Sequence, residues 1–505
     1  MGRQLLAVWG PLLALGATAC ATLLSLDEFS VGEADTTTDT STGGGTTSTG
    51  TGGGSAGAGG EGGGGALPGQ PVWSTRFGGD GDDSAAGVGV APDGAIAIAG
   101  AFAGTIDFGC GELTSHEPDQ TDVYTAVLEP GGSCRWSWDY GEAGVQAARA
   151  VATDSSGNVA VAGVFWSDMP IQTSGANETL TVSDLGVQDI FVALFDAPGE
   201  LEWALGFGQG QHDQAAQGVT FNSAHDVIVT GNFLAPHDQI HLHFGSYGRI
   251  SSNRSAFVLQ RDAVAAHHWD EVIGGYGNDS GFDVAADGDQ NVFVVGEFQN
   301  QLGWDGIIAA GAADVFVFKL EAVDGDPIWR RHYGDPGDDR ALGVTADGLD
   351  AIVVGEFEND IAFEDESHTS NGGLDLFVVK LDTEGNLLWS RTFGGSFDDS
   401  AYDVAVTSTG DIVVVGTMGG PVDFGDQVLE ASDADVFVLV LEPSGATRYS
   451  RRFGGEGRQV ARGVAIDDDQ LIVIHGEMAG TMQVGAEAHH SVADSVDVFV
   501  AKLVL

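Results

Sequence analysis

The chain has 505 residues and carries 74 Asp and Glu against 19 Lys and Arg, which gives a formal net charge of −55. This charge excludes a nucleic-acid-binding protein, because such a protein needs a basic surface to displace phosphate counterions, and it disfavours docking on an anionic membrane surface. Hydrophobic residues make up 43% of the chain, which is enough for a large folded core.

Residues 1–19 are typical of an export signal peptide. Arg3 provides a positive charge, and an apolar run from Leu5 to Leu15 follows it. This run is shorter than the roughly 20 residues that a membrane-spanning helix needs, but it suits a signal peptide. The small residues at 17–19 provide a cleavage site. We therefore predict that residues 1–19 are removed and that the mature protein is exported.

Cys20 directly follows this cleavage site, and the segment Ala17-Thr18-Ala19-Cys20 resembles a bacterial lipobox. In that family the cysteine is diacylated and becomes the first mature residue. The resemblance implies a lipid-anchor segment at residues 20–31, and Ala21 in place of Asp after the cysteine implies an outer-membrane lipoprotein on the periplasmic or cell-surface side. Membrane contact would then be through the lipid alone. The alternative is ordinary cleavage after Ala19, which gives a secreted protein.

Residues 32–70 are rich in Gly, Thr and Ser and contain almost no apolar side chain. Such a segment cannot offset the entropy lost on ordering. We predict a disordered tether that holds a folded domain just off the membrane.

Residues 71–505 repeat one unit seven times. An aromatic residue recurs at intervals of roughly 60–67 residues, and an apolar or aromatic residue followed by Gly comes four positions later. The recurring aromatic residues are Trp73, Trp136, Trp203, Trp269, Trp329, Trp389 and Tyr449. Each unit also contains an alternating apolar run that ends in Gly, and then a run of the type Asp-apolar-Phe/Tyr-Val, with Ser255 in place of Asp once. Three landmarks in constant order indicate a repeat architecture.

Each unit contains four short β-rich runs separated by turns, and no stretch shows sustained helical periodicity. In the sixth unit the runs are Ala401–Thr407, Asp411–Thr417, Val436–Glu442 and Arg448–Phe453. Seven four-stranded units predict an all-β fold, a seven-bladed β-propeller. The strand at Trp73 has no blade of its own, so we expect it to complete the last blade and close the ring.

This arrangement resembles the bacterial seven-bladed β-propeller repeat (SBBP-type) proteins, many of which are lipoproteins. The resemblance covers residues 71–505 and implies the fold, whereas it implies little about activity, because propellers host many functions. Ring closure leaves no open end for edge-to-edge pairing, and we expect a monomer.

Two sets of polar residues are predicted on one face of the propeller. The first follows the aromatic-Gly pair and comprises Asp83, Gln146, Asp213, Asp279, Asp339, Asp399 and Gln459. The second opens the third strand and comprises Asp122, Asp189, Asp314, Asp375, Asp435 and Asp497. One interpretation is that each carboxylate fixes its loop by accepting backbone N–H bonds. The other is a Ca²⁺ site, which needs six to eight oxygen ligands, drawn from Asp83, Asp122, Asp279, Asp314, Asp339, Asp375, Asp399 and Asp435.

The residue after the Gly of the second strand differs between blades and is Glu297, Glu356 or Glu477 in three of them. These acids predict a ligand-binding rim near the channel mouth, and paired carboxylates also allow glycoside chemistry. The alternative is solvated surface charge. His237, His241 and His243 lie in a long loop with a spacing that can bind metal, but no further ligand is identifiable.

Cys110 and Cys134 both lie in the first blade, and an exported protein permits a disulfide between them. The two connections that carry them emerge nominally on opposite faces, so the intervening loop must fold back. We predict the bridge, and the alternative is two free thiols.

We therefore predict a lipid-anchored propeller that acts as a non-catalytic binding or scaffold module for protein or glycan ligands, with calcium as the one cofactor considered. One alternative is a carbohydrate-active hydrolase or lyase that uses the acidic rim. Another is an outer-membrane assembly scaffold, because the propeller lipoprotein of outer-membrane barrel assembly has a similar construction.

Overall fold

The computed structural model describes residues 67–505 apart from 185, 209–211, 235–252, 303–305, 432 and 493–494. The predicted signal peptide, Cys20 and nearly all of the predicted tether lie outside the described residues, as do His237, His241 and His243. In the described part of the chain, no helix has the length and apolar character needed to cross a membrane.

The described residues form strands and turns. The first strand is β1 (Pro71–Phe77). Blade 1 contains β2 (Asp83–Val90), β3 (Ile96–Phe102), β4 (Thr105–Asp107), β5 (Glu112–Thr114), β6 (Asp122–Leu128) and β7 (Cys134–Tyr140). Blade 2 contains β8 (Gln146–Thr153), β9 (Val159–Phe165), β10 (Met169–Gln172), β11 (Asn177–Leu180), β12 (Asp189–Phe195) and β13 (Leu201–Phe207). Blade 3 contains β14 (Gln214–Phe221), β15 (Val227–Leu234), β16 (Arg254–Arg261) and β17 (His267–Ile273).

The remaining blades follow the same order. Blade 4 is preceded by β18 (Gly275–Tyr276) and contains β19 (Asp279–Ala286), β20 (Val292–Phe298), β21 (Gln301–Leu302), β22 (Ile307–Ile308), β23 (Asp314–Leu320) and β24 (Pro327–Tyr333). Blade 5 contains β25 (Asp339–Asp347), β26 (Asp350–Phe363), β27 (Glu366–Leu381) and β28 (Leu387–Phe393). Blade 6 contains β29 (Asp399–Val406), β30 (Ile412–Met418), β31 (Val422–Asp423), β32 (Val428–Leu429), β33 (Asp435–Leu441) and β34 (Thr447–Phe453). Blade 7 contains β35 (Gln459–Ile466), β36 (Leu471–Ala479), β37 (Thr481–Val484), β38 (Glu487–His490) and β39 (Val496–Val504).

Within the described residues, seven four-stranded antiparallel sheets are arranged as a closed ring. The inner strands contact one another in succession, in the order β2, β8, β14, β19, β25, β29 and β35, and β35 contacts β2. The order in blade 7 is β35, β36, β39 and β1, so its outer strand is the first strand of the chain. The predicted β-propeller fold, closed by its N-terminal strand, is confirmed.

The closure extends slightly beyond β1. The Gly69 N–H donates to the Val504 carbonyl at 2.7 Å, and the Val504 N–H donates to Gln70 at 2.9 Å. Arg76 on β1 also forms an ion pair with Asp497 at the start of β39. Pairing therefore begins just before residue 71, where the sequence predicts the domain to start.

Steric crowding explains why each apolar run of the second strand ends in Gly. Opposite it, every inner strand contains a β-bulge, as between Ala85 and Gly87 in β2. A Cβ atom on Gly100 would lie 1.9 Å from the Ser84 carbonyl oxygen, and the equivalent glycine in each other blade would meet an inner-strand carbonyl oxygen at 1.9–2.1 Å. The second landmark of the repeat thus makes room for the bulge.

The recurring aromatic residue joins each blade to the next. The indole N–H of Trp329 donates to the Thr383 carbonyl in the following blade at 2.9 Å. Across the ring junction, Trp73 on β1 donates to Pro130 at 3.0 Å. The other tryptophans make the same bond with Ala197, Ala263, Ala322 and Pro443, and the Tyr449 hydroxyl donates to Val504. All seven blade junctions therefore carry this hydrogen bond.

Short hairpins between the second and third strands fold back along the outer strand of their own blade. Gln427, between β31 and β32, donates from its side chain to the Ser450 carbonyl on β34 at 2.8 Å. In blade 1 the hairpin β4–β5 places Cys110 beside the start of β7, and Cys110 forms a disulfide with Cys134. The hairpin provides the fold-back that the sequence requires for this bridge.

Replacing both Cys110 and Cys134 by Ser is expected to lower the free energy of unfolding by about 3 kcal/mol, because the bridge closes a loop in the unfolded chain. The sequence separation of the two cysteines is 24 residues. Thermal unfolding with and without reductant checks this result. Reductant should lower the unfolding temperature of the wild type and leave that of the double variant unchanged; an equal response of both proteins contradicts a bridging role.

Candidate functional site

The two predicted polar sets meet at the junctions between blades, on the face where the inner strands begin. At three junctions both partners are carboxylates: Asp497 with Asp83, Asp314 with Asp339, and Asp375 with Asp399. At three others the inner-strand partner is Gln146, Gln214 or Gln459, and at the last Ser255 stands beside Asp279. The sequence prediction that these sets approach each other therefore agrees with the structure.

Blade 3 departs from the predicted alignment. Its inner strand opens with Gln214, which is buried, whereas Asp213 is exposed and accepts a hydrogen bond from the Gln188 N–H at 3.2 Å. The loop before β14 is one residue longer than its counterparts, so the gap-free alignment places Asp213 wrongly in the inner-strand position.

Three inner-strand carboxylates, Asp279, Asp339 and Asp399, each fix two loops. The Asp335 N–H donates to Asp339 Oδ2 at 3.1 Å, and the Glu358 N–H donates to Oδ1 at 3.3 Å. Asp399 makes the equivalent bonds with the Gly395 and Gly419 N–H groups. These contacts tie the inter-blade loop to the end of the second strand, which is the structural role considered from the sequence.

Burial raises the pKa of these carboxyl groups. The pKa of Asp339 is raised to about 8, mainly by burial and to a smaller extent by the neighbouring Asp314 and Asp338. Burial likewise raises the pKa of Asp399 and Asp279 to about 7, and that of Asp83 to about 8 with a second contribution from Asp497. The buried members of the pairs therefore hold a proton near neutral pH, which removes the repulsion between adjacent carboxylates.

The donor set fits this protonated arrangement better than it fits calcium. Among the described residues, no group of three or more His, Cys, Asp or Glu side chains is placed to hold a metal ion. A pair of carboxylates supplies fewer oxygens than the roughly six to eight that Ca²⁺ requires. The eight acids considered as calcium ligands are spread over the blade junctions, and their observed partners are mainly backbone N–H groups.

Calcium is accordingly expected to leave the unfolding temperature unchanged when the protein in millimolar Ca²⁺ is compared with the protein in chelator. Differential scanning calorimetry of both samples is the measurement. A higher unfolding temperature in Ca²⁺ that is lost in Asp83→Gln would contradict this expectation and place the ion at the Asp83–Asp497 junction.

Two members of the predicted glutamate rim share one arginine. Arg340 on β25 lies between Glu297 and Glu356, with its Nε 2.8 Å from Glu297 and its Nη1 3.0 Å from Glu356. Glu356 also accepts a hydrogen bond from the Ser400 hydroxyl at 2.6 Å and is 3% exposed. Glu356 thus connects neighbouring blades, and its carboxylate is already occupied by Arg340 and Ser400.

Glu477 lies apart from this cluster, in blade 7. One of its oxygens accepts from the Ala85 N–H at 3.1 Å, and the other lies 3.6 Å from Arg462 Nη2. The structure therefore brings together two of the three predicted glutamates and separates the third from them. The two that meet share one guanidinium, which differs from the free acid and base pair of a glycosidase.

The bulged residues of the inner strands form a ring that the sequence analysis missed. They are Ala86, Arg149, Gln217, Phe282, Leu342, Tyr402 and Arg462, and each keeps solvent exposure while the residue before it is buried. Each lies three positions after the first residue of its inner strand. The same alignment of repeats that identifies Asp83 and Asp339 therefore also identifies these seven positions. These residues line the axial channel, and unlike the repeated acids they differ from blade to blade.

No family model matches the chain. A WD repeat-containing protein of Acanthamoeba polyphaga mimivirus is 20% identical over an alignment that covers 74% of this chain and 33% of that protein. The chain thus spans about a third of the length of this curated relative.

Solved structures with related topology include two propellers. The Pan2 WD40 domain of Neurospora crassa aligns with a TM-score of 0.41 and 10% identity, covering 86% of this chain and 97% of that domain. BamB of Moraxella catarrhalis aligns with a TM-score of 0.33 and 13% identity, covering 85% of this chain and 97% of BamB. The propeller assignment rests on the closed ring of sheets in this chain.

Proposed function

We propose that this protein is an exported cell-envelope lipoprotein, anchored through Cys20, whose propeller acts as a non-catalytic binding or scaffold module for a protein or glycan ligand. The proposal also places the chain with the SBBP-type propeller lipoproteins. The signal-like segment, the lipobox-like cysteine and the Gly/Thr/Ser-rich tether support the anchor.

The observation that carries the non-catalytic assignment is the occupancy of the rim carboxylates. Glu297 and Glu356 bind one arginine, and the junction acids accept loop N–H groups. A general acid and base need carboxyl groups that reach a substrate. These carboxylates instead hold loops and blades together, so the geometry favours a rigid display surface.

Metabolic labelling with a radioactive fatty acid tests the anchor. The wild-type protein should incorporate label and fractionate with the outer membrane, and Cys20→Ala should do neither. The Cys110→Ser/Cys134→Ser variant is the matched control, because it keeps Cys20 and should keep the label. Label retained in Cys20→Ala, or absent from the wild type, contradicts the anchor.

A panel of polymeric sugars tests the alternative enzyme function. We expect no turnover by the wild type and none by Glu297→Gln, Glu356→Gln or Glu477→Gln. Turnover by the wild type that one of these single changes abolishes would replace the scaffold assignment with a carbohydrate-active enzyme.

A further inference from the structure

Two arginines face the same part of the axial channel. Arg149 lies on β8 in blade 2 and Arg462 lies on β35 in blade 7, on either side of blade 1. The equivalent residue of blade 1 is Ala86, which has the smallest side chain of the ring. Strand β2 contacts both β8 and β35, so the bulge positions of Arg149 and Arg462 flank Ala86 on the inner strands; Arg149 is exposed and Arg462 is partly exposed. Both side chains therefore project into the channel.

The two arginines differ in their partners. Arg462 has Glu477 at 3.6 Å and lies over the Tyr402 ring at 4.7 Å. No side chain of the described residues forms an ion pair or hydrogen bond with Arg149, which is solvent-exposed. Arg149 reaches solvent along the channel, yet the protein around it displaces most of its water; this desolvation and the charge of Arg462 lower its pKa, and Glu477 opposes the effect.

The other side of the channel is apolar at the same level. Phe282, Leu342 and Tyr402 occupy the equivalent bulge positions of blades 4, 5 and 6, and each is partly exposed. The ring thus presents two guanidinium groups on one side and aromatic and aliphatic surface on the other.

We propose that the axial channel binds the carboxylate of a ligand with an apolar or aromatic body, with Arg149 and Arg462 holding the carboxylate and the Phe282–Tyr402 side receiving the body. A guanidinium matches a carboxylate through two parallel hydrogen bonds. The net charge of −55 repels polyanions, so a single carboxylate is favoured over a phosphate dianion. This inference deepens the proposed binding function and rests on it.

A carboxylate of this kind has two sources, a free carboxylic acid or the C-terminus of a peptide. Isothermal titration calorimetry on the full-length protein separates them with 3-phenylpropionate and with a short peptide that ends in Phe. The amide of each probe is the matched control. We expect at least one acid to bind at least about tenfold more tightly than its amide, and inorganic phosphate to bind more weakly than that acid.

Arg149→Met keeps most of the side-chain length and removes the charge, and it should weaken binding of the acid by at least about tenfold. Gln217→Met, in the same ring, is the control and should bind the acid as the wild type does. Unchanged unfolding temperatures show that both variants are folded. Absence of acid binding, equal binding of acid and amide, or full binding by Arg149→Met overturns the inference. Fatty-acid labelling of Cys20 remains a separate readout, so failure of the channel site is distinguishable from failure of the proposed lipoprotein function.

Discussion

A chain truncated to begin at Gly78 is expected to lose cooperative folding, whereas a chain that begins at Leu67 should unfold like the intact protein. The first truncation removes β1, which pairs with β39 along its length. It also removes the Trp73 bond to Pro130 and the Arg76 ion pair with Asp497. Blade 7 would then expose the unpaired edge of β39, a mostly apolar strand, and such an edge promotes aggregation. Size-exclusion chromatography and thermal unfolding measure the outcome.

The truncation at Leu67 is the matched control, since it removes the predicted anchor and tether but keeps Gly69 and Gln70, which pair with Val504. A single substitution, Trp73→Ala, should give a smaller loss, below the about 3–5 kcal/mol of a fully buried Trp, because Trp73 is only partly buried although its inter-blade hydrogen bond is removed as well. A monomeric Gly78 truncation with the wild-type unfolding temperature would contradict closure by β1.

Asp339→Gln is expected to raise stability at pH 8 by about 1–3 kcal/mol. Asp339 is fully buried beside Asp314, and its folded-state pKa is raised to about 8. An unfolded Asp has a pKa of about 3.9. Between these values the unfolded chain releases a proton that the folded protein retains, so the stabilising contribution present below about pH 4 is lost as the pH rises towards 8. Glutamine does not titrate, and it already occupies the equivalent position at Gln146, Gln214 and Gln459.

Calorimetry across pH 4.5–8.5 checks this prediction. The unfolding temperature of the wild type should fall as the pH rises, because the raised pKa values of Asp83, Asp279 and Asp399 act in the same direction. Asp339→Gln should flatten part of this slope. Asp365→Gln, which removes the same charge from an exposed turn, should leave the slope unchanged. Parallel pH profiles for the wild type and Asp339→Gln would show that Asp339 is ionised in the folded protein.

The main strands could be predicted from sequence because both faces of the central strands are buried. In blade 6 the prediction Asp411–Thr417 corresponds to β30, Ile412–Met418. The inner strand begins at Asp399, two residues before the predicted Ala401. Aspartate is typical of loops, and only its pairing with Met418 shows that Asp399 belongs to the strand. The short hairpin β31–β32 was not predicted, since two-residue strands take their stability from packing against β34 and not from their own sequence.

The side-chain contacts of the candidate site were less predictable, because they depend on how strands of different blades are placed against each other. Arg340 follows Asp339 directly, and nothing local shows that it lies between Glu297 and Glu356. That contact depends on pairing across two blade junctions. Arg149 and Arg462 occupy the same aligned position of the repeat, but their placement on either side of Ala86 follows only from the closed ring. Contacts between side chains of different repeats therefore could not be predicted from the sequence alone.

Hydrogen exchange of the β1 amides tests the closed ring most directly. The account predicts that the peptide Pro71–Phe77 is protected to the same degree as the outer strand of an interior blade, Leu387–Phe393. Outer strands share the stability of their blades when they are fully paired. Exchange of the β1 amides at the rate of an unstructured peptide, with β28 still protected, would contradict ring closure by the N-terminal strand.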